Sequence, residues 1–190
     1  MKSSITQTNK LYRLIVISIM GTISVLLMFL NFPLPFLPAY LRIDVSDIPA
    51  LIASIMFSPL AGVLVVGIKN ILYLLLTAIS DPIGVMANFF AGMFYIVPVS
   101  FLYLKHGTMK SVLNGLVLGT VFMTVGLSIL NYFLFIPAYS WFMGWEEMSE
   151  TVKLSTVLVG ILPFNLIKGV IVGIVFAIIF TKLQKWIKRN

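Results

Sequence analysis

Residues 162–180 read LPFNLIKGVIVGIVFAIIF, an apolar run interrupted by one amide and one ammonium group, Asn165 and Lys168. About 20 predominantly apolar residues make a helix long enough to cross a hydrocarbon core about 30 Å thick, so this run predicts a membrane span. Working outward, stretches without a formal charge cover 14–41, 48–68, 82–104 and 111–145. The chain is 60% hydrophobic and only 10% charged, where a soluble domain carries about a quarter charged residues. The fold class expected is therefore an all-α integral membrane protein. A bundle of six transmembrane helices fits the apolar segments at about 11–32, 46–57, 59–79, 83–104, 110–135 and 152–182, with the second helix short. No polar stretch is long enough for another unit, so residues 1–190 are expected to form a single membrane domain. The first apolar run is longer than a signal core and lacks a small-x-small cleavage site, so it is read as a retained helix.

Charge distribution chooses between six spans and five. Phe57, Ser58 and Pro59 mark a tight turn between helices two and three, because proline suits a first helical position and disrupts a continuous ladder. With six spans and cytoplasmic N- and C-termini, Lys2, Lys10, Arg13, Lys105, Lys110, Lys182, Lys185, Lys188 and Arg189 all fall inside, nine of the thirteen basic residues. This matches the concentration of lysine and arginine in cytoplasmic loops. The six acidic residues, Asp44, Asp47, Asp81, Glu146, Glu147 and Glu150, then lie in outward loops or at outer helix ends. Five spans would spoil that sorting.

Several function classes find little support. The net charge of +7 is spread over helix ends rather than gathered on an aromatic-interleaved polar surface, so no nucleic acid partner is expected. Cysteine is absent, and the only histidine, His106, lies in a short basic loop. No histidine and carboxylate set has metal-ligand spacing, and no acid and base pair sits within a span, so no catalytic residue, metal or cofactor is assigned. The stretch GVLVVGIK at 62–69 misses the phosphate-binding loop pattern, with its lysine displaced by one position and no serine or threonine after it.

Polar groups inside spans are costly and need a partner, a cavity or a ligand. Asn165 and Lys168 are three apart and share a helix face. At about 1.5 Å rise per residue, Asn165, Asn131 and Asn88 each fall about 6 Å below the outer edge of the core, with Lys168 one turn deeper. Three helices thus offer amides at one level, an arrangement suited to a polar, planar ligand entering from outside. Hydrogen bonding between helices is the competing explanation, above all for Asn88. Lys69 and Asn70, mid-span on helix three, serve the same pocket or pair within the bundle. Phe89, Phe90, Phe133 and Phe164 are candidates for stacking on a ring. The loop 33–44, with three prolines among apolar residues, is too apolar for a solvated connection and is expected to fold over something. Tyr139, Trp141, Phe142 and Trp145 form either an interfacial aromatic belt or part of a lid.

Residues 41–72, LRIDVSDIPALIASIMFSPLAGVLVVGIKNIL, together with LNYF at 130–133 and PFNLIKG at 163–169, resemble the riboflavin-specific S component of energy-coupling-factor (ECF) transporters. The likeness covers essentially the whole chain. It implies a membrane subunit of the cell membrane that captures riboflavin as transported substrate, not cofactor, at the outer face under the first outer loop. The matching positions are Asn131, Asn165 and Lys168, with Tyr40, Leu41 and Asp44 of the loop as contributors and Asn88 beside them. It also implies partners, a transmembrane coupling protein and two cytoplasmic ATP-binding-cassette ATPases, so that the chain itself is not an enzyme. The family's small-residue docking pattern on helix one corresponds to Ser18 and Thr22, with Gly21 beside them; packing within the bundle explains these small residues nearly as well.

Three other readings stay open from sequence. An S component for thiamine, biotin or pantothenate shares the architecture, although a carboxylate ligand would want paired cations in the pocket. A membrane-embedded enzyme would require buried acid and base residues. A purely structural subunit predicts that Asn131, Asn165 and Lys168 face one another with no cavity between.

Overall fold

The computed structural model describes residues 2–38, 40–77, 81–144 and 146–187. Trp145, Lys188, Arg189 and the expected end of helix three at Ile79 lie outside the described residues. The elements run α1 (Lys2–Phe29), β1 (Phe32–Pro33), β2 (Arg42–Ile43), α2 (Ile48–Met56), α3 (Pro59–Leu76), α4 (Pro82–His106), α5 (Met109–Leu130), α6 (Ile136–Met143), α7 (Glu150–Ser155) and α8 (Leu162–Ile187). A π-helical turn at Asn131–Phe135 joins α5 to α6, and another at Thr156–Ile161 joins α7 to α8. Each joined pair is one continuous rod, so the architecture is the expected bundle of six helices.

Sequence signals set the ends of these helices. Ser58 accepts a hydrogen bond from the Ala61 N–H and Pro59 opens α3, while Asp81 accepts from the Gly84 N–H at 2.8 Å and Pro82 opens α4. Both satisfy backbone donors that the first helical turn leaves free. Gly107, at φ 64°, ends α4 in the left-handed region, and Thr108 with Ser111 forms a capping box at the start of α5.

The fifth helix departs from its expected end near residue 135 and continues to Met143. Pro137 lacks an N–H and its ring crowds the carbonyl four residues back. The π turn absorbs that conflict: the Ile136 N–H donates to the Asn131 carbonyl, five residues back. Pro163 is preceded in the same way, with the Leu162 N–H donating to the Val157 carbonyl. Both prolines therefore widen their helices without breaking them.

Five of the six rods are long and apolar enough to cross a membrane. The exception is α2, whose nine residues span about 13 Å. It begins deep in the bundle rather than at its rim, because its N-cap Asp47 is fully buried. The connection 43–47 thus enters the bundle before α2 starts. In the core α4 packs against α3 and α5, α5 against α8, and α1 against α3. Tyr95, Ile96, Val99, Phe176 and Phe180 are buried at its centre. The α4–α5 approach depends on Gly119, where an added Cβ would lie 2.5 Å from the Tyr95 carbonyl oxygen.

Overpacking a tight contact costs about 1–3 kcal/mol, and each kcal/mol shifts the melting temperature of a chain this size by about 2–4 °C. Gly119→Leu should therefore lower the melting temperature of the detergent-solubilised protein by about 3 °C or more in a thermal scan.

Candidate functional site

At the end of the bundle that carries the β1–β2 hairpin lies a cavity of about 600 Å³. This is within the range of about 300–1,000 Å³ typical of small-molecule sites. Tyr40, Leu41, Asp44, Asn88, Asn131, Asn165 and Lys168, the seven residues singled out from sequence, all line it. Asn88 comes from α4, Asn131 from the π turn after α5, Asn165 and Lys168 from α8, and the connection from β1 to α2 supplies Tyr40, Leu41 and Asp44. The hairpin pairs Phe32 with Ile43 and Pro33 with Arg42, and from the loop it closes Tyr40 and Leu41 reach this cavity.

The amides are oriented by their own helices. Asn131 Nδ2 donates to the Leu127 carbonyl at 2.8 Å, and Asn165 Nδ2 to the Ile161 carbonyl at 2.9 Å. Each amide keeps its carbonyl oxygen and a second N–H for other partners. Asn88 Oδ1 is buried and has no partner among the described residues, which argues against a simple helix-joining role. Tyr95 donates its hydroxyl to the Gly169 carbonyl at 2.9 Å and so fixes α8 beside Lys168.

Compensation of Lys168 differs from the sequence expectation. Its Nζ lies 3.2 Å from Asp44 Oδ2 and 3.8 Å from Asp47 Oδ2. Lys69 Nζ lies 2.6 Å from Asp47 Oδ1 and donates to Ser46 Oγ at 2.9 Å. Two acidic residues assigned to an outward loop and an outer helix end are therefore inside the bundle. The physical reason is mutual: two lysines in low dielectric require counter-charges, and the 43–47 connection delivers them. Carboxylates, rather than a ligand, balance the lysine charges. Yet the space between the amides and Lys168 remains open, contrary to a purely structural packing role.

Other sequence candidates separate. Lys69 pairs within the bundle, and Asn70 donates to the Val66 carbonyl; neither lines the cavity. Of the four phenylalanines, Phe164 lines it, Phe89 and Phe90 pack against the core, and Phe133 is exposed. Trp141 and Phe142 are exposed, in keeping with a belt, whereas Tyr139 lines the cavity and donates to Asp81 Oδ1 at 2.6 Å. Asp81, Arg42 and Thr156 are cavity residues that the sequence reading missed. The Asp-Pro pair at 81–82, a helix N-terminus signal, marked where Asp81 would sit. Among the described residues no group of three or more His, Cys, Asp or Glu side chains could hold a metal ion.

The family model for the substrate-specific component of ECF transporters matches residues 12–180. The chain belongs to this family. The riboflavin transporter FmnP of Bacillus subtilis is 46% identical over 183 residues, covering 95% of this chain and 96% of that protein. The riboflavin transporter RibU of Staphylococcus aureus is 40% identical, covering 96% and 95%. The solved structure of the S component of a bacterial ECF transporter matches with a TM-score of 0.80 at 40% identity, covering 94% of this chain and 99% of that one. This S component is thus a multi-pass protein of the cell membrane and a substrate-binding subunit rather than an enzyme.

On α1 of the S component, Ser18 and Thr22 are exposed on one face. Gly21 is buried, with an added Cβ 2.5 Å from the side chain of Ile68, so it packs toward α3 and does not share the exposed face of Ser18 and Thr22.

Breaking a buried pair by removing one partner costs about 3–5 kcal/mol, whereas exposed pairs contribute little. Asp44→Ala should therefore lower the melting temperature markedly. Glu150→Ala, which breaks the exposed pair with Lys153, should leave it essentially unchanged.

Proposed function

We propose that this S component binds riboflavin in the hairpin-covered cavity and delivers it inward. The observation that carries the reading is near-full-length identity to riboflavin transporters, 46% and 40% over 183 residues. The cavity chemistry supports it. Amides from α4, α5 and α8 can donate to and accept from the carbonyls, ring nitrogens and ribityl hydroxyls of a flavin, and Phe164, Tyr40 and Tyr139 border the same space. A vitamin carboxylate, as in biotin or pantothenate, would want paired cations, whereas Lys168 is already held by two aspartates and Arg42, the other cation of the lining, is exposed and bonded to Asn31.

The chain acts as one membrane domain with both termini cytoplasmic, which puts the cavity at the outer face. A transmembrane coupling protein and two cytoplasmic ATP-binding-cassette ATPases complete the transporter and supply ATP hydrolysis. Ser18 and Thr22 present the small face of α1 for docking, and close helix approach is what small residues permit.

The purified protein should quench riboflavin fluorescence on titration. Asn131→Ala and Asn165→Ala should each weaken binding about fivefold or more, since each removes a ligand hydrogen bond of about 1 kcal/mol or more. They are cleaner tests than Lys168→Ala, which would also strand Asp44. Unchanged affinity in both amide variants would remove them from the site. Replacing Ser18 or Thr22 by Trp should abolish riboflavin uptake by cells while leaving binding by the purified subunit intact; equal loss of both would indicate a folding defect instead.

A further inference from the structure

Lys69 and Asp47 lie outside the cavity lining, yet they complete a closed ring of charges around its one lysine. Lys69 Nζ donates to Asp47 Oδ1 at 2.6 Å and to Ser46 Oγ at 2.9 Å. The Ser46 N–H donates to Asp44 Oδ1 at 2.8 Å, and the Ser46 hydroxyl donates to the same oxygen. Asp44 Oδ2 accepts from Lys168 at 3.2 Å, and Asp47 Oδ2 closes the ring 3.8 Å from Lys168 Nζ. All five residues are at most 4% exposed. Three separate segments, α3, the 43–47 connection and α8, meet in it.

We propose that Lys69 is a positioning residue for substrate binding: by holding Asp47, it leaves Lys168 paired mainly with Asp44 and directed at the cavity. The ring holds two ammonium and two carboxylate groups and is formally neutral. The unequal distances divide the labour, since Asp47 is 2.6 Å from Lys69 and 3.8 Å from Lys168. Without Lys69, Asp47 has one cation left in reach. Coulomb attraction at low dielectric grows steeply as two charges approach, so Lys168 is drawn toward Asp47 and away from the ligand, and two carboxylates share one ammonium. Replacing Asp47 with a neutral amide in the same chain removes that pull and restores neutrality around the Asp44–Lys168 pair.

The inference rests on the riboflavin reading, and its test separates the two. Riboflavin affinity, by fluorescence quenching, and melting temperature are measured for the wild type, Lys69→Met and the double variant Lys69→Met with Asp47→Asn. The single variant should bind at least about tenfold more weakly, in line with coupling energies in buried networks. The double variant should recover to within about threefold of wild type, although it too has lost the Lys69–Asp47 pair. A purely structural role predicts that Lys69→Met lowers the melting temperature without weakening riboflavin binding at temperatures where the variant is folded. Wild-type affinity in Lys69→Met, or a folded double variant that binds as weakly as the single one, overturns the proposal. If Lys69→Met does not fold, the double variant decides alone: near-wild-type binding supports the proposal and weak binding by a folded double variant overturns it. A wild-type chain that does not quench riboflavin overturns the proposed function and this inference with it.

Discussion

The ion pair between Lys168 and Asp44 is the constraint on which the site depends. A lysine within an apolar span is tolerated when it meets a counter-charge or a water-filled space. Here it has both, with Asp44 at 3.2 Å and the cavity on its other side. To bring Asp44 to that position the chain must enter the bundle after β2. This buries Ile43, Asp44, Ser46 and Asp47 and leaves α2 only nine residues in which to reach the turn at Phe57. The short second helix, the covering hairpin and the cavity are consequences of one electrostatic requirement.

The same requirement fixes what the cavity can recognise. Its lysine is balanced by aspartates, so at that depth the site offers oriented hydrogen-bonding groups, and the other cation of the lining, Arg42, is exposed and donates to Asn31 Oδ1. Asn131 and Asn165 are pinned by hydrogen bonds to carbonyls of their own helices, and Asn88 Oδ1 is buried without a partner among the described residues. Groups held in place before the ligand arrives lose less freedom on binding. The π turns contribute to this arrangement: one begins at Asn131, and the other ends four residues before Asn165.

Much of this was legible in the sequence because the bilayer imposes simple rules. Apolar length located the helices, and the cost of polar groups in hydrocarbon singled out Asn88, Asn131, Asn165 and Lys168, which the structure brings to one cavity. The misreadings have physical causes. Helix five was ended at residue 135, whereas it runs on to Met143 because a π turn accommodates Pro137. Asp44 and Asp47 were left outside because charged residues at helix ends ordinarily face water; that each would find a lysine on a distant helix is a tertiary fact with no periodicity to announce it. Gly21 was grouped with Ser18 and Thr22 on smallness, while its direction toward Ile68 depends on helix rotation.

The most direct measurement is an experimental structure of the chain with riboflavin bound. The account predicts the flavin within the hairpin-covered cavity, within hydrogen-bond distance of Asn131, Asn165 and Lys168, and with the Lys168–Asp44 pair retained. A flavin bound elsewhere, or a bound state in which Lys168 has left Asp44 and the amides face away from the ligand, would contradict it.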